Sequence, residues 1–248
     1  MTEQHGDAEN RGARGREPVF LIPGGVTGLI GVLVAIHLAQ GLVLNQESQL
    51  QLVNLLAFLP LRIAAAAEDI GLALPLVWTP FTHALLHAGW EHLIVNVAWL
   101  AIFATPVARR YGTWPMLAIF FASAAAGAAA FALTDLMTVA YLIGASGGVA
   151  GLMGAAMRFI FQPVIVGQDP ETGERVILGR RLASLSEMMR NPRARVFTLF
   201  WVLLNAAIPF LPLLTGQGVQ IAWQSHLGGF VAGLLLVGLF ERRPAGAQ

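Results

Sequence analysis

Six apolar stretches constrain this chain more than any other feature: Val19–Leu44, His92–Val107, Trp114–Leu133, Ser146–Phe161, Val196–Leu214 and Trp223–Phe240. A helix needs about 20 mostly apolar residues to cross a bilayer. In hydrocarbon the backbone must satisfy its own polar groups, which leaves helices or closed barrels. The 248 residues are 56% hydrophobic and only 12% charged, against about 25% charge in a soluble domain. The expectation is an all-α membrane protein, a six-transmembrane-helix bundle covering residues 19–240 and surrounded by lipid bilayer. The fourth stretch is short and begins at Ser146. Its helix is expected to start partway down the membrane, after an irregular segment facing a water-filled cavity, where such backbone is tolerated.

Charge fixes the expected orientation. All fifteen basic residues are arginine. Arg11, Arg14 and Arg16 precede the first stretch, and Arg109 and Arg110 follow the second. Seven more lie around the link between the fourth and fifth, and Arg242 and Arg243 close the sequence. With six spans these fourteen fall on one side and Arg62 alone on the other, so the positive-inside rule predicts both termini in the cytoplasm of a multi-pass cell (inner) membrane protein. Residues 1–18 and 241–248 are expected to be cytoplasmic tails, the first disordered and without the apolar core of a signal peptide. Residues 45–91 form an outer loop, with short amphipathic helices expected at Leu50–Leu61 and Ile63–Ala67 and interfacial anchors at Trp78 and Trp90. Residues 162–195 form a cytoplasmic loop with a turn at Asp169–Glu174 between short extended runs.

Three polar clusters fall near the outer ends of the even-numbered spans. His92 and Asn96 are one helical turn apart on the second, Ser146 opens the fourth in Gly144-Ala145-Ser146-Gly147, and His226 precedes Gly229 and Gly233 on the sixth. Ionisable residues inside a membrane are costly and mark function by default. Glycines at Gly147, Gly151 and Gly154 and at Gly229 and Gly233 let two helix backbones approach closely. Packing those two stripes together would bring Ser146 to His226, eighty residues away. A serine hydroxyl becomes a useful nucleophile when a base takes its proton, and histidine suits that role near neutral pH. The Ser146 amide and the side chains of His92 and Asn96 can supply donors to an oxyanion. No carboxylate lies within the fourth or sixth span, so a Ser–His dyad is expected rather than a triad with an acidic orienter.

These motifs resemble the rhomboid intramembrane serine proteases. The similarity runs from Trp78 to about Phe240 and rests on Gly144-Ala145-Ser146-Gly147 (GxSG), His92 with Asn96 (HxxxN), and His226 with Gly229 and Gly233. Thr79–His87 resembles the family's approach to the second span. The resemblance implies a nucleophile at Ser146, a base at His226 and oxyanion donors at His92 and Asn96. It departs from the family at Thr79, where arginine often follows the tryptophan. It departs again at Ala150, where an aromatic residue often supports the histidine, and at Ala108, often acidic in bacterial members.

The expected function is hydrolysis of peptide bonds in or near transmembrane segments of membrane-protein substrates. The rival is a non-catalytic relative that binds such segments for membrane-protein quality control. A transporter is disfavoured, because the polar residues cluster near one face instead of lining a path. No cofactor, metal or nucleic acid is implied. His83 and His87 are four residues apart, but no HExxH occurs and His87–His92 has one residue too many for HxxEH. They read as hydrogen-bonding residues of the outer loop, and His37 as a buried packing or water-bonded residue of the first span.

Overall fold

The computed structural model describes residues 22–169, 172–210 and 221–241. The tail expected at 1–18, residues 242–248 of the tail expected at 241–248, residues 19–21 of the first span and residues 211–214 of the fifth lie outside that set. Among the described residues five helices are long and apolar enough to cross a membrane: α1 (Gly24–Leu42), α6 (Trp90–Tyr111), α7 (Thr113–Thr134), α10 (Pro192–Ala207, continued by a 3-10 turn to Phe210) and α11 (Trp223–Leu236, continued to Phe240). The shorter α8 spans Ser146–Met157. At about 1.5 Å per residue its 12 residues reach about 18 Å, well short of a hydrocarbon core of about 30 Å. Ser146 therefore sits inside the bundle.

Every residue of α8 after Ser146 is buried, and the helix is enclosed by α6, α7 and α11. The closeness is set by small residues. A Cβ placed on Gly229 would overlap the carbonyl oxygen of Gly147, and one on Gly233 would overlap that of Gly151. Gly154 meets the backbone of Phe230, and Gly127 of α7 meets that of Ser225. Between apolar helices in lipid, such close backbone approach replaces the hydrophobic driving force that water would provide. The core continues below through Leu93, Leu100, Phe120, Leu152 and Met157, all essentially inaccessible.

The remaining elements bracket this centre. α6 and α7 are joined by Gly112 alone, at φ 91°, a backbone conformation that side chains disfavour. Between α1 and α6 lie α2 (Gln46–Leu56), α3 (Leu61–Ala65), α4 (Ile70–Ala73) and α5 (Thr79–Thr82). The helix expected at Leu50–Leu61 starts earlier, because the Asn45 side chain accepts the Ser48 amide and caps it. It also stops earlier, at Leu56, ahead of Pro60. The stretch expected to continue to Phe161 leaves the helix after Met157, where Arg158 turns aside to donate to the carbonyls of Ala183 and Leu234. The 162–195 segment carries a two-stranded antiparallel hairpin, β1 (Val164–Gln168) and β2 (Arg175–Arg180), and then α9 (Leu185–Arg190). At that end the Arg110–Glu241 ion pair, 2.6 Å, ties α6 to the end of α11.

Candidate active site

The site is assembled on the irregular segment that leads into α8. Gly144 has φ 120°, and a Cβ there would come within 2.7 Å of the His92 ring, so both conformation and space require glycine. The segment is held from the 3-10 turn His83–Leu85 that follows α5 and from His87 just beyond it. The Gly144 amide donates to the His83 carbonyl (3.0 Å), and the Ala145 amide donates to His87 Nε2 (3.4 Å). His83 in turn donates from Nε2 to the Ala124 carbonyl of α7 (3.3 Å). Burial pushes the His83 imidazole down to about 4. Burial, with the neighbouring His92 and His37, does the same to His87, also to about 4. Both rings are therefore neutral at pH 7, which His87 must be to accept the Ala145 amide. The outer-loop hydrogen bonds expected of these two histidines are present, but they brace the serine segment from within the protein.

Ser146 occupies the first position of α8, and His226 stands in the first turn of α11. The glycine contacts between those helices bring His226 Nε2 to 2.9 Å from Ser146 Oγ. On the far side of the ring, His226 Nδ1 lies 2.8 Å from Asn205 Oδ1 of α10. Asn205 Nδ2 donates to the Trp201 carbonyl one turn earlier, at 2.9 Å.

His92, Asn96, Ser146, Ala150, Trp201 and His226 line one cavity of about 1030 Å³. Asn96 is buried and uses one amide hydrogen on the His92 carbonyl, 2.8 Å away in its own helix. Its second amide hydrogen has no protein acceptor among the described residues. The His92 ring packs edge-on to His87, 5.1 Å between centroids, and against Gly144. No direct hydrogen bond joins His92 or Asn96 to Ser146 among the described residues; they share the cavity with it. His37 is half-buried and lies edge-on to Trp90, at 4.7 Å and 87°, with its buried Nδ1 unpaired among the described residues. Among the described residues no group of three or more His, Cys, Asp or Glu is placed to hold a metal ion.

Sequence reasoning did not single out Asn205. A signal was present: it is the only amide or charged side chain between Val196 and Ala207, in a helix of membrane length. A polar residue so placed merits the same attention as His226.

Fold and site together define a multi-pass membrane bundle with a polar centre near one end. The Rhomboid domain model matches residues 75–243, well over half of the sequence, and the chain belongs to the Rhomboid family. It is 24% identical over 168 residues to RHOMBOID-like protein 5 of Arabidopsis thaliana, covering 67% of this chain and 45% of that protein. It is 29% identical over 109 residues to the Bacillus subtilis (strain 168) protein named "Putative rhomboid protease YdcA", covering 44% of this chain and 54% of that one. Similarity to Homo sapiens Rhomboid-related protein 3 reaches 33% over 84 residues, 34% of this chain and 20% of that protein. The matched stretches thus span about half of these relatives or less.

Proposed function

We propose that the chain is an intramembrane serine endopeptidase that hydrolyses peptide bonds in or near transmembrane segments of other membrane proteins. The observation that carries this reading is the 2.9 Å contact between Ser146 Oγ and His226 Nε2 at the wall of a cavity inside a membrane bundle. In this reading His226 Nε2 takes the Ser146 proton as Oγ attacks the scissile carbonyl carbon. The carbonyl π electrons move onto oxygen, giving a tetrahedral oxyanion. Donors to that oxygen are the free amides at the start of α8, the second Asn96 amide hydrogen and the His92 ring. His226 then returns its proton to the leaving amine as the C–N bond breaks. Water, deprotonated by the same nitrogen, hydrolyses the acyl-enzyme. Membership of the Rhomboid family and similarity to the protein named "Putative rhomboid protease YdcA" support the assignment.

The arginine distribution supports a topology with both termini in the cytoplasm and the Ser146 end of the bundle toward the outer face of the cell (inner) membrane. Water reaches the dyad from that face, and substrate arrives laterally from lipid. An intact transmembrane helix hides its carbonyls in hydrogen bonds. A cleavable segment therefore carries a stretch of small or polar residues that weakens the helix near the outer face.

The test is incubation of detergent-purified protein with a model transmembrane substrate containing such a stretch. Cleavage is expected, with loss in Ser146→Ala and a fall of roughly 10²–10⁴-fold in His226→Ala. Substrate that is bound but left intact would contradict the enzyme reading and identify a non-catalytic binder of membrane segments.

A further inference from the structure

We propose that Asn205 is the positioning residue for His226: it fixes the imidazole tautomer that leaves Nε2 free to accept the Ser146 proton. The inference rests on the protease reading and extends it to a third residue on a third helix. Its basis is a chain of hydrogen bonds whose directions are set from one end. The Trp201 carbonyl can only accept, so the Asn205 group 2.9 Å from it is the NH₂. With the amide oriented that way, Oδ1 faces His226 and can only accept, and Nδ1, 2.8 Å away, must carry the hydrogen. Nε2 of the neutral ring then presents its lone pair to Ser146 Oγ at 2.9 Å, and the hydroxyl donates. The opposite amide orientation would set two acceptors, Oδ1 and the Trp201 carbonyl oxygen, against each other.

Burial makes the constraint effective. Asn205 is 4% exposed, so water does not compete for Oδ1, and an unpaired Nδ1–H in that position would carry its full desolvation cost. No carboxylate bonds to His226 among the described residues. A neutral amide does this work in a membrane without burying a further charge. Without Asn205, the favoured arrangement shifts toward the tautomer with hydrogen on Nε2, which donates to Ser146 and cannot take its proton.

The experiment compares the parent with Asn205→Leu, which keeps side-chain volume and removes the acceptor, and Asn205→Asp, which keeps the acceptor. The rate of Ser146 labelling by a fluorophosphonate and the kcat and KM for a transmembrane substrate are measured. The tautomer is read by nitrogen-15 NMR of histidine-labelled protein in micelles. Asn205→Leu should lower the labelling rate and kcat by about tenfold to a hundredfold with KM within about twofold. That is less than the roughly 10⁴-fold loss when a charged orienter is replaced by one imposing the wrong tautomer. Asn205→Asp should recover most of the rate. His226 in the parent should show hydrogen on Nδ1. Parental labelling by Asn205→Leu, no recovery in Asn205→Asp, or an Nε2–H tautomer in the parent would each overturn the proposal. The parent spectrum decides even if Asn205→Leu does not fold. A parent that neither labels nor cleaves refutes the protease reading instead, and the same spectrum still reports on the Asn205 bond.

Discussion

α11 meets α8 on one side and α10 on the other, and the two contacts are built differently. Against α8, glycine backbones touch with no side chains between them, as Gly229 and Gly233 seat on the carbonyls of Gly147 and Gly151. Against α10, large side chains meet: Trp201 stacks on Phe230 at 4.7 Å and 27°, and Asn205 reaches His226. The other ring contacts of α10 are aromatic too, Phe197 lying 6.0 Å from Phe103 and 6.5 Å from Phe161. A backbone contact admits one separation, because a carbonyl cannot move aside. A stack of rings tolerates small displacements and rotations at modest cost. The difference teaches how the centre divides its tasks. The rigid contact sets the Ser146–His226 distance, and the adaptable one carries the group that orients the ring.

The largest effect should come from the rigid side. Gly233→Ala places a methyl on the Gly151 carbonyl. Overpacking in a close-packed core costs about 1–3 kcal/mol where neighbours can shift, and here the neighbour is backbone on both sides. Loss of more than about 3 kcal/mol is therefore expected, seen as failure to recover a monodisperse folded protein from detergent. Recovery with an unchanged Tm would erase the distinction between the two contacts.

On the adaptable side the effect should be smaller. Trp201→Ala removes a half-buried ring and its stack on Phe230. A loss of about 1–2 kcal/mol, with the protein still folded, is expected from an aromatic pair worth about 0.5–1.5 kcal/mol beyond its area. Leu203→Ala on the same helix, 66% exposed, sets the baseline and should stay within about 0.5 kcal/mol. Thermal unfolding in detergent reads both α10 variants. A Trp201→Ala loss equal to that of Gly233→Ala would show that α10 is held as rigidly as α8.

The glycine spacing made the rigid contact legible in the sequence. Gly147 and Gly151, and again Gly229 and Gly233, are spaced four residues apart, and that spacing alone predicts Ser146 beside His226. The short α8 was equally legible, since its apolar run begins at Ser146 with an irregular segment ahead of it. The adaptable contact was not. A stack between Trp201 and Phe230 has no periodic signature, and Asn205 lies twenty-one residues from His226 across a connection whose geometry the sequence does not encode. The roles of His83 and His87 were legible only as hydrogen bonding. That they brace Gly144 and Ala145 depends on how α5 and the turn after it lie under the serine segment. Helix ends moved for local reasons, with the Asn45 cap and the Arg158 turn each overriding the hydrophobic pattern.

The central claim is that the contact between Ser146 and His226 makes the hydroxyl a nucleophile. The most direct measurement is fluorophosphonate labelling of folded, detergent-purified protein, with the modified residue identified by mass spectrometry. Labelling should fall on Ser146 alone, and should drop by roughly 10²–10⁴-fold in His226→Ala with folding retained. Equal labelling of Ser146 in parent and His226→Ala, or labelling of a different serine, would contradict the account.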